Sequence, residues 1–498
     1  MVKKRVFFAV IIAIFVLSAA STAFAEKRTD VNLYSSTVST LDPHSTTLAT
    51  DVSLHNQIYE GLVFMDDKAQ PHMRVAEAFE VGEDGLTYTF RIRDNVKFHN
   101  GDTLTASDCA FSVKRAMTIA NMANYVAAIE DAEALDDHTF VIKLKELSAP
   151  FLVNISQIRI ISEKAVTDAG EGFGIDIVHC GTGPYKLLSY DPNVEIVLEA
   201  FEDYYRGEAP INRVNVKTIT DESARLIAFE TGELDFIAVP SANWNNIVES
   251  DQFTTYIAPS TKVIYFALNF YKGGVFENKK LRQAVHYALD RDAINVIAYD
   301  GIGEPAYFMC NPDYINCAPN DSFQYTYDVE KAKALIKEAG YPDGVHAGTL
   351  LTANRDFLPK VAQVLQGMLS EVGITCDIEI LEGASASARG RVGDFDIYTN
   401  NNLIVLDMDA FSRFVHSRNL KAMIVKYDDP EIDDFFDRGA REMDVEKRKA
   451  IYKEADNWIK DYAAHGTLFY VRTPYAWNKD LNASAGLLYY YVYDWNWK

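Results

Sequence analysis

The sequence predicts a mixed α/β chain of two to four domains, and three observations carry that prediction. Strand-like and helix-like patterns alternate along most of the chain, which favours sheets packed against helices. Its 498 residues, 48% hydrophobic and 12% aromatic, can bury more than one core. No low-complexity tract or short repeat interrupts the pattern.

The elements follow in order. Tyr88, Phe90 and Ile92 alternate with Thr89, Arg91 and Arg93, the period of a half-buried strand. Residues 194–198, 214–216 and 263–270 read as further strands. Across 281–294, Leu281, Ala284, Val285, Ala288 and Leu289 form one helical stripe. From 330, Ala332, Leu335, Ile336 and Ala339 form another, with Asp328 placed to N-cap it and Gly340 to end it. Pro359 opens a third helix, with Val361, Val364, Leu365, Met368 and Leu369 on one face and Gly373 closing it. Tyr59, Tyr88, Phe90 and Phe98 are expected in the core.

The first residues point to export. Lys3, Lys4 and Arg5 precede an apolar run over 6–20, and Ala23-Phe24-Ala25 forms an A-x-A cleavage site before Glu26. That is the layout of a secretory signal, and the run is shorter than the ~20 residues of a membrane span. No cysteine precedes Cys109, so the expected product is free in a periplasm, cut after Ala25 and without a lipid anchor. Losing three positive charges takes the formal net charge from -23 to -26. Such a surface opposes nucleic acid and anionic lipid. Five cysteines are too few for a disulfide scaffold, yet an oxidising compartment allows Cys310 and Cys317 to pair across their short loop.

Several segments together resemble the family 5 extracellular solute-binding proteins of peptide and nickel ABC importers. They include Leu41-Asp42-Pro43-His44, Tyr59-Glu60-Gly61-Leu62, Asp84-Gly85-Leu86-Thr87-Tyr88-Thr89-Phe90 and Lys97-Phe98-His99. Gly181-Thr182-Gly183-Pro184-Tyr185, Gly232-Glu233-Leu234-Asp235, Leu281-Arg282-Gln283-Ala284 and Asp394-Phe395-Asp396 continue in the family's order. The resemblance implies a two-lobed, type II periplasmic-binding-protein (venus-flytrap) fold with an extra inserted domain. Lobe I would comprise 26–68, 179–270 and 470–498, the extra domain 69–178, and lobe II 271–469. The lobes would close by a hinge over a small ligand, for delivery by a monomer to importer permease domains.

Within that frame, Arg355 is the leading carboxylate partner, because peptide-binding members keep an arginine at about this place and a guanidinium forks onto carboxylates. The alternative is a surface arginine paired with Asp356 or Glu371. Relatives carry a W-x-x-D run for an ammonium; here Asn400, Asn401 and Asn402 stand in that stretch, and Asp407 is the nearest acid that could serve. Thr46 and Thr47 follow the Leu-Asp-Pro-His motif and either face the cleft or cap the next helix. Tyr489 belongs to an aromatic run that forms either a cleft wall or a strand.

The histidines lack ligand spacing, so neither a metal nor a cofactor is expected. G-x-S-x-G, H-E-x-x-H, C-x-x-C and Walker motifs are all absent. A short peptide is the leading ligand. Oligosaccharides, metal chelates and opine-like compounds are the alternatives in the same class, and a secreted hydrolase with two distant carboxylates is the alternative outside it.

Overall fold

Tyr88, Phe90 and Ile92 point inward from the strand Thr87–Ile92, as their spacing requires. The computed structural model describes residues 28–66, 68, 70–259, 262–311, 317, 324–403, 407–421, 423–486 and 490–498. The expected leader and Tyr489 therefore lie outside the described residues, as does the side chain of Asn402. No helix among the described residues is long and apolar enough to cross a membrane.

Thr87–Ile92 belongs to a four-stranded antiparallel sheet with Ala76–Val81, Thr139–Leu144 and Ile129–Ala134. The helix Ala106–Met117 covers it, burying Ala106, Cys109, Val113 and Ala116 along one stripe. A separate four-stranded sheet runs in the order Asp30–Ser35, Arg213–Thr218, Glu195–Ala200, Tyr185–Asp191. Beside it, Thr473–Asn478 sits between Phe236–Ala238 and Phe253–Ala258. Trp477 and Trp495 stack around Phe236 to seal the join.

The largest sheet has six strands, ordered Glu304–Pro305, His465–Tyr470, Lys262–Leu268, Ile397–Leu403, Val345–Ala353, Ile374–Leu381. Lys262–Leu268 is apolar on both faces because both faces are covered. Ile264, Phe266 and Leu268 enter one core, while Val263, Tyr265 and Ala267 enter the other. This strand corrects the expected lobe boundary at 270: its neighbours are Ile397–Leu403 and His465–Tyr470, both in the second lobe. The chain thus passes between the two lobes' sheets at Ala258 to Lys262 and again at Tyr470 to Thr473.

The expected single helix over 281–294 is two, Lys279–Ala288 and Arg291–Tyr299. Asp290 is the reason. Its carboxylate accepts from the Ala293 backbone N–H, capping the second helix and ending the first. The other two helices form as Val329–Glu338, capped by Asp328, and Leu358–Glu371, with proline in its first turn. The Gly-Thr-Gly-Pro turn is a packing device. A Cβ on Gly181 or Gly183 would meet the Ile58 carbonyl oxygen at 2.3 or 2.7 Å, so glycine lets this turn close on the end of helix Ala49–Ile58.

Cys310 and Cys317 are joined by a disulfide with their Cα atoms 5.5 Å apart, and both are buried. Cys109, Cys180 and Cys376 are buried free thiols. Closing so short a loop stabilises by roughly 2–3 kcal/mol. A Cys310→Ser, Cys317→Ser variant should therefore unfold at lower denaturant by about that free energy. Reductant should shift the parent protein's denaturation midpoint and leave the variant's unchanged.

Candidate functional site

Three strands of the large sheet, Val345–Ala353, Ile374–Leu381 and Ile397–Leu403, run parallel, so their carboxyl ends share one edge. In α/β sheets that edge is where ligands bind, since the loops leaving it lie outside the covering helices. Arg355 follows the first strand, Glu382 the second and Asp407 the third.

Arg355 Nη2 donates to Asn400 Oδ1 at 2.9 Å and to Asn401 Oδ1 at 3.3 Å. Among the described residues it forms no ion pair with Asp356 or Glu371. Neutral amide oxygens thus orient the guanidinium without neutralising it. Asn400 is itself fixed, with Nδ2 donating to the Tyr398 hydroxyl at 2.5 Å. Asn354, Arg355, Glu382, Ser387 and Arg391 line an open depression of about 470 Å³.

Asp407 has a different fate from the one expected. Its carboxylate accepts from Arg448 Nη1 at 2.6 Å and Nη2 at 2.7 Å, with both side chains about 5% exposed or less. Burial opposes the charge on Arg448, but Asp407 outweighs it and holds the guanidinium protonated. Asp407 is thereby spent on the fold and is not a free acid for a ligand's ammonium. Thr46 is spent as well: its hydroxyl donates to Asp51 Oδ2 at 2.8 Å and accepts from the Leu48 backbone N–H at 3.1 Å. It does not cap the helix Ala49–Ile58, whose N-cap position is Leu48 with no side-chain cap bond; Thr46 instead braces the turn that precedes it.

Thr47 stays exposed and lines a chamber of about 460 Å³. One wall comes from residues 121–157, through Asn121, Tyr125, Asn154 and Gln157; the other comes from residues 407–441, through Asp409, Arg413, Arg418 and Arg441. The walls meet at a lip. There the Ala149 backbone N–H donates to the Ala440 carbonyl at 2.8 Å, and Arg441 pairs with Glu146 at 2.7 Å. Met65 and Val153 add an apolar seam against the second lobe's core.

Asp409, which the sequence reading did not single out, is an acid on the chamber wall. Its backbone N–H donates to Asp407 Oδ1, and among the described residues its own Oδ1 receives only a long 3.5 Å bond from the Tyr452 hydroxyl. Burial, reinforced by the charge of Asp407 and opposed by Arg448 and Arg418, pushes its pKa up to about 6. The Asp-Met-Asp run carried a signal, since an acid two residues after another keeps its charge for other use once the first is paired.

Residues 70–421 match the family model of bacterial extracellular solute-binding proteins, family 5 (middle region). The chain belongs to that family. It is 27% identical over 458 residues, 88% of each chain, to the glutathione-binding protein GsiB of Escherichia coli strain K12. Among solved structures it is similar to the ABC transporter substrate-binding protein CtaP of Listeria monocytogenes, with a TM-score of 0.84 and 22% identity over 95% of this chain and 100% of that one. It is also similar to the periplasmic binding protein DppA of Helicobacter pylori in complex with the peptide STSA, with a TM-score of 0.80 and 23% identity over 96% and 100%. The fold is the two-lobed α/β type II periplasmic-binding-protein fold. Family 5 proteins bind solutes and do not transform them.

If Asp407 serves the fold, Arg448→Met should lower the unfolding free energy by about 3–5 kcal/mol, because a buried carboxylate is left without its cation. Chemical denaturation followed by circular dichroism measures this. An unchanged midpoint would return Asp407 to the list of available acids.

Proposed function

We propose that this protein captures short peptides outside the cytoplasmic membrane and presents them, as a monomer, to the permease domains of an ABC importer. The observation that carries the reading is a chamber of about 460 Å³ lined by Asp409, with Arg355 in a separate depression at the same sheet's carboxyl edge. That volume lies within the ~300–1,000 Å³ range of small-molecule sites. In this reading Arg355 takes the ligand's carboxylate, and Asp409 takes its ammonium in place of the W-x-x-D acid. Asn400 and Asn401 orient Arg355, while Asn121, Asn154 and Thr47 meet backbone groups. The name of the glutathione-binding relative and the peptide in the DppA complex are consistent with a peptide ligand.

Selectivity follows from desolvation. A buried polar group left without a partner costs ~1–3 kcal/mol, and micromolar capture is worth only about 8 kcal/mol. One mismatched terminus therefore removes much of the affinity. Closure would pivot where the chain passes between the sheets near Tyr470 to Thr473, bringing Ala149 onto Ala440 at the lip. Export by the amino-terminal signal, with cleavage after Ala25, completes the reading.

Mass spectrometry of material released from the purified protein by mild denaturation tests the ligand class. A thermal-shift panel of di- to pentapeptides follows it. Peptides should raise the melting temperature. Arg355→Ala should abolish the shift for peptides with a free carboxyl terminus and spare their amidated counterparts. A variant that still binds both alike removes Arg355 from the site.

Asp409→Asn should do two opposite things at pH 7. It should abolish binding of peptides with a free amino terminus, and it should stabilise the empty protein by about 1–3 kcal/mol. The sign follows from the raised pKa: the folded state favours the protonated acid, so ionisation costs stability as pH rises through about 6. Ammonium binding needs the ionised form, so peptide affinity should fall as pH drops below about 6. Titration calorimetry between pH 5 and 8 reads this, and a flat profile refutes the role.

A further inference from the structure

A smaller recess of about 60 Å³ lies where helix Ala49–Ile58 and strand Val63–Met65 meet the carboxyl-terminal segment. Gln157 lines both this recess and the interlobe chamber, so it is a wall common to the two. The recess is built from buried polar groups with unspent capacity.

Asn56 is 4% exposed; its Oδ1 accepts from Arg159 Nη2 at 2.6 Å, yet its Nδ2 has no partner among the described residues. Glu60, 8% exposed, accepts from the Tyr204 hydroxyl at 2.9 Å through Oε1, and its Oε2 has no partner either. Arg206 stacks 5.0 Å from the Tyr493 ring centroid and makes a long 3.4 Å contact to the Tyr204 hydroxyl. Arg74 stacks on Phe64 and stands 3.6 Å from Glu60 Oε1. Three guanidinium groups therefore border a space that holds two acids, Glu60 and Asp494.

These groups define their occupant. Guanidinium and amide N–H groups offer only donors, so the missing partner is an acceptor, and a planar anion suits a guanidinium best. The space holds a head group or a few waters, not a peptide. Burial raises the pKa of Glu60 despite Arg74 and the neighbouring tyrosine hydroxyls, so its charge opposes an incoming anion less than that of an exposed acid.

We propose that this recess is a subsite for a carboxylate on a side arm of the chamber's ligand, with Arg206 and the Asn56 amide as donors and Gln157 as the gate between the spaces. The proposal rests on the chamber being the ligand site and narrows the ligand to one with an acidic arm.

Glutarate and its neutral diamide, glutaramide, are the probes, titrated calorimetrically into the full-length mature protein and its Arg206→Gln variant. Arg206 is exposed, so the variant should fold, and an unchanged melting temperature checks this. The parent should bind glutarate and not glutaramide, and Arg206→Gln should weaken glutarate by about tenfold or more. Absence of glutarate binding, or equal affinity in the variant, overturns the subsite and leaves the recess as a water pocket. Peptides with Glu in place of Gln separate the two readings. If peptides bind without preference for Glu and without sensitivity to Arg206→Gln, the subsite falls and the chamber stands. If glutarate binding depends on Arg206 while no peptide binds, the peptide reading falls instead.

Discussion

Arg448 and Asp407 face each other with two parallel hydrogen bonds in a space nearly closed to solvent. Removing both charges from water is costly, and the pair persists because the two-pronged contact and the further bonds from Asp409, Gly439 and Tyr452 leave neither charge unmatched. The consequence reaches well beyond two residues. Arg448 belongs to helix Val445–Tyr462 and Asp407 follows the strand Ile397–Leu403, so the pair pins the loop at the sheet's carboxyl edge to the lobe's longest helix. Arg448 Nε also donates to the Gly439 carbonyl at 2.8 Å, which ties in the end of helix Pro430–Arg441. Gly439 adjoins Ala440, the acceptor at the chamber's lip. One guanidinium thus fixes both the acidic wall and the rim that meets Ala149.

The same economy governs the other polar groups of the cleft. Where the fold needs a buried charge, it saturates it, as with Asp51, which takes the Ser39 backbone and hydroxyl together with Thr46. At the cleft the accounts stay open. Arg355 is held by amide oxygens that leave its charge unopposed, and Asp409 receives one long hydrogen bond. Open valence beside empty volume is what the proposed ligand groups share and what the groups that complete the protein lack. Residue type alone does not separate the two, since Asp407 and Asp409 are the same amino acid two positions apart.

Sequence periodicity carried the local structure well because each helix and strand is decided by neighbours within a few residues. The caps at Asp328 and the proline-led helix Leu358–Glu371 form as their residues dictate. Asp290 could have been read as a cap too, and the apolar stripe that continues past it concealed the break. The run 263–268 was legible as a strand, while its place in the second lobe depends on partners more than a hundred residues downstream. Long-range pairing was the recurrent blind spot. Arg448 lies 41 residues from Asp407, and Tyr204 lies 144 from Glu60, separations at which no spacing rule applies. Arg355 could be singled out because its chemistry and its place just after a strand are both visible in the chain.

Leaving Asp409 unpaired has a thermodynamic cost that a purely structural residue would not retain. Burial raises its pKa to about 6, so near neutral pH the empty protein carries an ion that its surroundings disfavour. Under the proposed peptide reading, a ligand cation entering the chamber would relieve that penalty and gain its own partner, so part of the binding free energy would be stored in the unliganded fold. A neutral ligand relieves nothing. Stored strain of this kind favours charged guests through the state of the host, in addition to any contact made once they arrive. The preference weakens in acid, where Asp409 is already protonated and there is nothing left to relieve.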